Sequence, residues 1–282
     1  MRVTEQMKRD LADDGAIVVR GLFTPQQLKR VRQCFDYGIA HPGQPSKVYE
    51  GTSDEHFNEY GNPANVEQYV AMINELGLQD FVASLWDSEN VWFLGEELFI
   101  KSGGKAGRSP WHQDTSYMPA NGPHLLNIWI SFEGIPKENS LEIVRGSHLS
   151  TQYDGTSYLD PSDPTAPVWG EDYFPRLPDI EAERKNDPTS WDVISWDVKP
   201  GDALVFHSGS LHGGAPGNSS LPDAPYDCPA VLRRQAVLPA AARQEGELRG
   251  RRERAERPVA DTGRSVSPEL LRPTALILEI PK

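Results

Sequence analysis

Leu125–Phe132 reads LLNIWISF. Leu126, Ile128, Ile130 and Phe132 alternate with Leu125, Asn127, Trp129 and Ser131, a period of two that predicts a strand with one purely apolar face and one mixed face. A mixed inner face is what a small barrel needs to line a cavity, so Asn127 and Trp129 are expected on the cavity side. The short period begins at Val91 and returns in Leu141–Val144 and Ala203–His207, which predicts a mainly β core.

The flanks of these strands carry the chemistry. Upstream, Ser109–Pro119 reads SPWHQDTSYMP; downstream, Ser208–Asn218 reads SGSLHGGAPGN. His112 and Asp114 are spaced to reach the same side of a strand. An imidazole arriving from a distant strand would complete a two-histidine, one-carboxylate facial set with open positions, the arrangement of non-heme Fe(II) oxygenases. A chain with 7 His and 41 acidic residues is expected to hold His-x-acid about once by chance. The triplet therefore takes its weight from context: a strand-like stretch, Val91–Lys101, before it, and a Gly-flanked histidine after a later strand. His207 and His212 are both candidates for the distal ligand, with His148 as a third. Gly213 and Gly214 let the backbone beside His212 approach a bound ligand closely.

The runs WHQDTSY, LLNIWISFEGIPKENSLEIVRGSH and WDVKPGDALVFHSGSLHGG resemble the phytanoyl-CoA dioxygenase family, a branch of the Fe(II)/2-oxoglutarate-dependent oxygenases. The resemblance implies a double-stranded β-helix (jelly-roll, cupin-like) core with flanking helices, and iron held by His112, Asp114 and His212. It implies 2-oxoglutarate chelating the iron through its keto acid end, O2 as co-reactant, and hydroxylation of an unactivated carbon of a small molecule with release of succinate and CO2. Related halogenases lack the carboxylate, so Asp114 speaks for hydroxylation.

Members commonly carry an arginine about eleven residues after the distal histidine, where its planar guanidinium can make two hydrogen bonds to the far carboxylate of 2-oxoglutarate. Here that position is Asp223. The insertion SSLPDAPYDCPAV displaces the equivalent strand to Leu232–Val237, where RQAV puts Arg234 in the anchoring role with Arg233 as the alternative. Lys101 and Ser147 are further candidates for cosubstrate binding, beside Asn127 and Trp129.

Outside the core, residues 1–90 are expected to form a helical support. Residues 4–13 suggest a short helix and Ala16–Arg20 a strand. Thr24 and Pro25 open an amphipathic helix over Pro25–Tyr37. Residues 38–65 are a Pro/Gly/Asn-rich excursion. Val66–Trp86 is periodic again around Gly77, and these helices should brace the sheet. The core spans 91–240, with an aromatic insertion over 150–196 that reads as a lid with a short helix at Ile180–Asn186. Residues 241–282 form an atypical tail, arginine-rich over 243–264, with TALILEI (Thr274–Ile280) as an edge strand. The whole is expected to be one oxygenase domain.

A formal charge of −13 and a pI near 5.0 argue against nucleic acid or an anionic membrane as partner. Two cysteines are too few for a disulfide framework, and neither a leader nor a spanning segment is evident, which points to the cytoplasm. The competing readings are a cupin-like metal enzyme that does not use 2-oxoglutarate and a catalytically silent jelly-roll binding protein.

Overall fold

The computed structural model describes residues 2–43, 56–60, 62–88, 90–101, 108–118, 122–156, 162–170, 173–214, 230–237 and 278–279. Helix α1 (Glu5–Asp14) starts where the Thr4 side chain accepts a hydrogen bond from Met7 N–H. It stops at Gly15, whose φ of 79° only glycine adopts without strain. Strand β1 (Ala16–Val19) follows, then α2 (Pro25–Ala40), opened by a reciprocal capping box between Thr24 and Gln27. The helix runs one turn beyond the expected Tyr37. Strand β2 (His56–Tyr60) lies in the excursion, where no strand is legible in the sequence. The periodic segment around Gly77 resolves into α3 (Val66–Glu75) and α4 (Leu78–Trp86), separated by Gly77 at φ 65°.

The remaining elements are β3 (Trp92–Lys101), β4 (Leu125–Ser131), β5 (Leu141–Val144), α5 (Ile180–Asn186), β6 (Val193–Ile194), β7 (Ala203–His207), β8 (His212–Gly214), β9 (Ala230–Val237) and β10 (Leu278–Glu279). They form two antiparallel sheets. The larger has the order β1-β7-β4-β9-β3-β10, with β2 also on β3; the smaller is β6-β5-β8. The neighbours in order are far apart in sequence, as in a double-stranded β-helix. Of the expected edge strand at 274–280, Leu278–Glu279 pairs with Trp92 and Phe93; residues 243–264 lie outside the described residues.

The alternation in β4 sorts the core. Leu126, Ile128 and Ile130 pack with Val205 against Val31, Phe35, Tyr69 and Phe81 of the helices. The helices thus cover one face of the large sheet, and each fully buried Leu or Ile there contributes about 1.5–3 kcal/mol. Trp129 faces the other way, joining Leu204 and Phe206 with Leu141 and Ile143 of the small sheet. A third cluster of Trp111, Val144, Leu177, Ile180 and Leu211 seats α5 on the chain around the small sheet. The segment between β5 and β6 leaves and returns at one point: Arg145 N–H donates to Asp192 O at 2.8 Å, and the two side chains pair at 2.9 Å. Among the described residues no helix is long and apolar enough to cross a membrane.

Candidate metal centre

His112 and His212 lie on neighbouring chain segments that exchange both backbone hydrogen bonds, His112 N–H to His212 O and His212 N–H to His112 O, each at 2.9 Å. This rung brings together two residues a hundred positions apart. The expectation that His112 and Asp114 share a strand needs correction. Only His112 is bridge-paired, whereas Asp114 opens a 3-10 turn, Asp114–Ser116, with its N–H on Ser208 O at 2.9 Å. The turn, and not strand alternation, swings the carboxylate to the imidazoles.

Asp114 Oδ1 lies 3.5 Å from His112 Nε2 and 3.6 Å from His212 Nε2. One ligand atom from each of the three residues falls within 4.8 Å of the others. Bonds of about 2.0–2.2 Å to imidazole nitrogen and carboxylate oxygen would set adjacent ligand atoms about 3 Å apart, so a small contraction suffices to grip an ion. The tautomers suit the task. His112 Nδ1 faces Pro110 O and His212 Nδ1 faces Ser210 O, each at 2.9 Å, so each Nδ1 carries the proton and each Nε2 the lone pair. Burial, then the neighbouring His112, holds the His212 pKa well below the usual imidazole value and keeps it neutral. Two imidazoles and one carboxylate fit a facial iron set.

The other histidines stay apart. His207 Nδ1 accepts from Gly209 N–H at 2.9 Å, and Nε2 sits 3.0 Å from Gly122 O. Burial and the nearby His148 push its pKa down to about 4. His148 Nε2 faces Ala12 O, and its ring lies 5.0 Å from that of His207.

Asn127 and Trp129 both lie on the inter-sheet side. The Asn127 amide donates to Asp114 Oδ2 at 2.7 Å, and Trp129 fills the inner cluster. The Ser147 hydroxyl is engaged by the backbone, donating to Val144 O and accepting from Leu211 N–H, and so holds the turn that precedes His212. Lys101 ends β3 opposite His56. On β9, Arg234 shares its rung with Ile128 and Glu96, and Arg233 shares its rung with Trp129 and Glu97. Ile128 belongs to the helix-covered cluster and Trp129 to the inter-sheet cluster.

Two groups escaped the sequence reading. Gln113, between His112 and Asp114, donates to Gly209 O at 2.7 Å and Thr151 O at 3.3 Å and accepts from Tyr153 N–H at 2.8 Å. Ser116 Oγ donates to Tyr153 O, Tyr117 bonds Thr156, and Trp169 Nε1–H reaches Ser116 O. The insertion's first residues are thereby stitched to the ligand turn. Behind them the buried Asp154 carboxylate accepts from Trp169 and Gly170 N–H, and burial raises its pKa. The second group is an ionic clamp in which Glu142 pairs with Arg108 and Arg184, and both guanidiniums flank the Trp111 ring, at 4.8 and 5.8 Å. For Gln113 the available signal was its position between His112 and Asp114, which no periodicity marks; the clamp joins charges far apart in sequence and had no such signal.

A family model described as phytanoyl-CoA dioxygenase (PhyH) matches residues 11–222, a span that holds His112, Asp114 and His212. The chain belongs to the phytanoyl-CoA dioxygenase family. The match ends before β9, so the arginine pair lies beyond it. Among solved structures, EctD from S. alaskensis with 2-oxoglutarate and 5-hydroxyectoine is 17% identical with a TM-score of 0.60, over 83% of this chain and 76% of that one. The epimerase SnoN, in complex with Fe3+, alpha ketoglutarate and nogalamycin RO, is 14% identical with a TM-score of 0.59, over 83% and 82%. EvdO2 from Micromonospora carbonacea var. aurantiaca, complexed with 2-oxoglutarate, is 17% identical with a TM-score of 0.57, over 85% and 93%. No curated protein matches. At these identities the likeness shows the jelly-roll fold. The family membership and the His-Asp-His set make this phytanoyl-CoA dioxygenase family member a non-heme iron, 2-oxoglutarate-dependent oxygenase, with O2 as co-reactant.

Proposed function

We propose that this oxygenase hydroxylates an unactivated carbon of a small organic molecule, releasing succinate and CO2, with His112, Asp114 and His212 as the iron ligands. The observation that carries the reading is the convergence of the two Nε2 atoms on the Asp114 carboxylate oxygen, with each Nδ1 held by a backbone carbonyl. Iron with 2-oxoglutarate supplies oxygen activation coupled to oxidative decarboxylation. The protein's part is placement. The β rung sets the spacing of the two histidines, and the Asp114 charge offsets that of the metal. Phe206, whose ring centroid lies 4.8 Å from that of His212, closes that side of the site to water. In this reading Arg233 binds the far carboxylate of 2-oxoglutarate, supported by its rung position opposite Trp129.

Anaerobic titration of the apoprotein with Fe(II) and then 2-oxoglutarate tests the reading. A visible charge-transfer band that disappears in His212→Ala is expected. Folded protein that gives no band with both Fe(II) and 2-oxoglutarate added would overturn it.

A further inference from the structure

We infer that Asn127 is a positioning residue for the iron carboxylate, one that fixes Asp114 as a single-oxygen ligand. The inference rests on the metal-centre reading above and adds a division of labour between the two oxygens of Asp114. Oδ1 is the atom nearest both histidine Nε2 atoms, at 3.5 and 3.6 Å, while Oδ2 receives the Asn127 amide at 2.7 Å. The second distance is that of a charge-assisted hydrogen bond.

Asn127 is an unusual residue for its place. It sits in mid β4, where every neighbour along the strand is buried, and is itself 0% exposed. A carboxylate only accepts, so the amide must turn Nδ2 towards Asp114. That orientation leaves Asn127 Oδ1 buried with no hydrogen-bond partner among the described residues. An amide kept in a core with one end unpartnered costs stability, and such breaches of local economy concentrate at functional sites. What it secures here is orientation. Asp114 is held at two points: its backbone N–H on Ser208 O just past β7, and its side chain on Asn127 of the adjacent β4, opposite Phe206.

The chemical consequence concerns vacancy. A freely turning carboxylate can bind a metal through both oxygens and take two positions of an octahedral ion, leaving too few for a chelating keto acid and O2 together. With Oδ2 engaged by Asn127, Asp114 takes one.

The test uses metal uptake by the full-length apoprotein, independent of turnover. Anaerobic Co(II) titration of wild type, Asn127→Leu and Asn127→Ala, followed by visible absorption and by melting temperature, separates a positioning role from a packing role. We expect Asn127→Leu to lose about 10- to 100-fold in Co(II) affinity, with an altered visible band from a changed coordination number, and with no loss of melting temperature. Asn127→Ala should show the same loss and band change, and it decides the matter should the leucine variant not fold. Either folded variant binding Co(II) with wild-type affinity and an unaltered band would overturn the inference alone. Wild type taking up no Co(II) would overturn it together with the metal-centre reading.

Discussion

Gln113→Ala removes a side chain that points away from chemistry yet sits between the two proposed iron ligands His112 and Asp114. Its three hydrogen bonds tie the ligand turn to Gly209, Thr151 and Tyr153. Each intramolecular bond contributes about 1 kcal/mol net, and the partners left behind are backbone groups that only partly regain water. The expected destabilisation is therefore about 3 kcal/mol, or a fall of about 6 °C in melting temperature for a chain of this size. Because Asp114 follows directly, the loosened turn should also weaken Fe(II) binding, so added metal restores less stability than in wild type. Urea unfolding with and without Co(II) reads both quantities. Gln113→Glu provides the control: it keeps an acceptor for Tyr153 N–H but sets a carboxylate against Gly209 O, and it should be no better than alanine. A change below about 1 kcal/mol, with unchanged stabilisation by metal, would refute the claim that Gln113 links the insertion to the ligand turn.

Three further predictions follow from the same geometry. Arg233→Ala should raise the KM for 2-oxoglutarate at least about tenfold while Arg234→Ala does not; the reverse pattern would place the anchor on the other rung. The folded pKa of His207 lies below its unfolded value, so the unfolded chain takes up the proton first. Its contribution is complete above pH 6.5 and is lost as pH falls from 6.5 towards about 4, by about 3 kcal/mol in all. His207→Gln should flatten that part of the stability profile, and an unchanged slope would count against it. Gly213→Ala would set a Cβ 3.1 Å from Ser109 O and 3.4 Å from Trp111 Cδ2. The overpacking should cost about 1–3 kcal/mol and displace the segment bearing His112, which metal titration of the variant would reveal as reduced affinity.

The core was legible because β4 alternates so cleanly that its helix-facing and inter-sheet residues can be named from the sequence, and Thr24-Pro25 marks a helix start by capping chemistry alone. Helix α5 coincides with its expected bounds, and the structure adds a cap the sequence reading did not use, the Asp179 side chain accepting from Ala182 N–H. Strand β2 was hidden because HFNEY borrows its pairing from β3 and has no alternation of its own to declare it. At the site, residue types and spacing pointed to the three ligands, but the backbone path did not follow. A His-x-Asp triplet satisfies strand geometry and a strand-to-turn transition equally, and only the Ser208 carbonyl, ninety-odd residues away, chooses the turn. Gln113 and the Arg108–Glu142–Arg184 clamp were illegible since their partners are distant backbone atoms and opposite charges that no local pattern predicts.

The closed neck at Arg145 and Asp192 has a bearing on how this enzyme can diversify. Because the chain leaves and rejoins the small sheet at one point, the lobe between can lengthen at little entropic cost, about 0.6 kcal/mol for each doubling. The freedom is uneven, however. Residues 151–156 supply the backbone atoms that hold Gln113, Ser116 and Tyr117, so change there is transmitted to the ligand turn. Among the described residues beyond Thr156, the Trp169 indole reaches Ser116 O, and Leu177, Ile180 and Arg184 pack around Trp111 beside His112. New sequence can therefore be grafted between Thr156 and Pro167, which bridge to each other, while the metal set stays as it is, which makes that stretch the place where descendants of this chain could acquire different substrates.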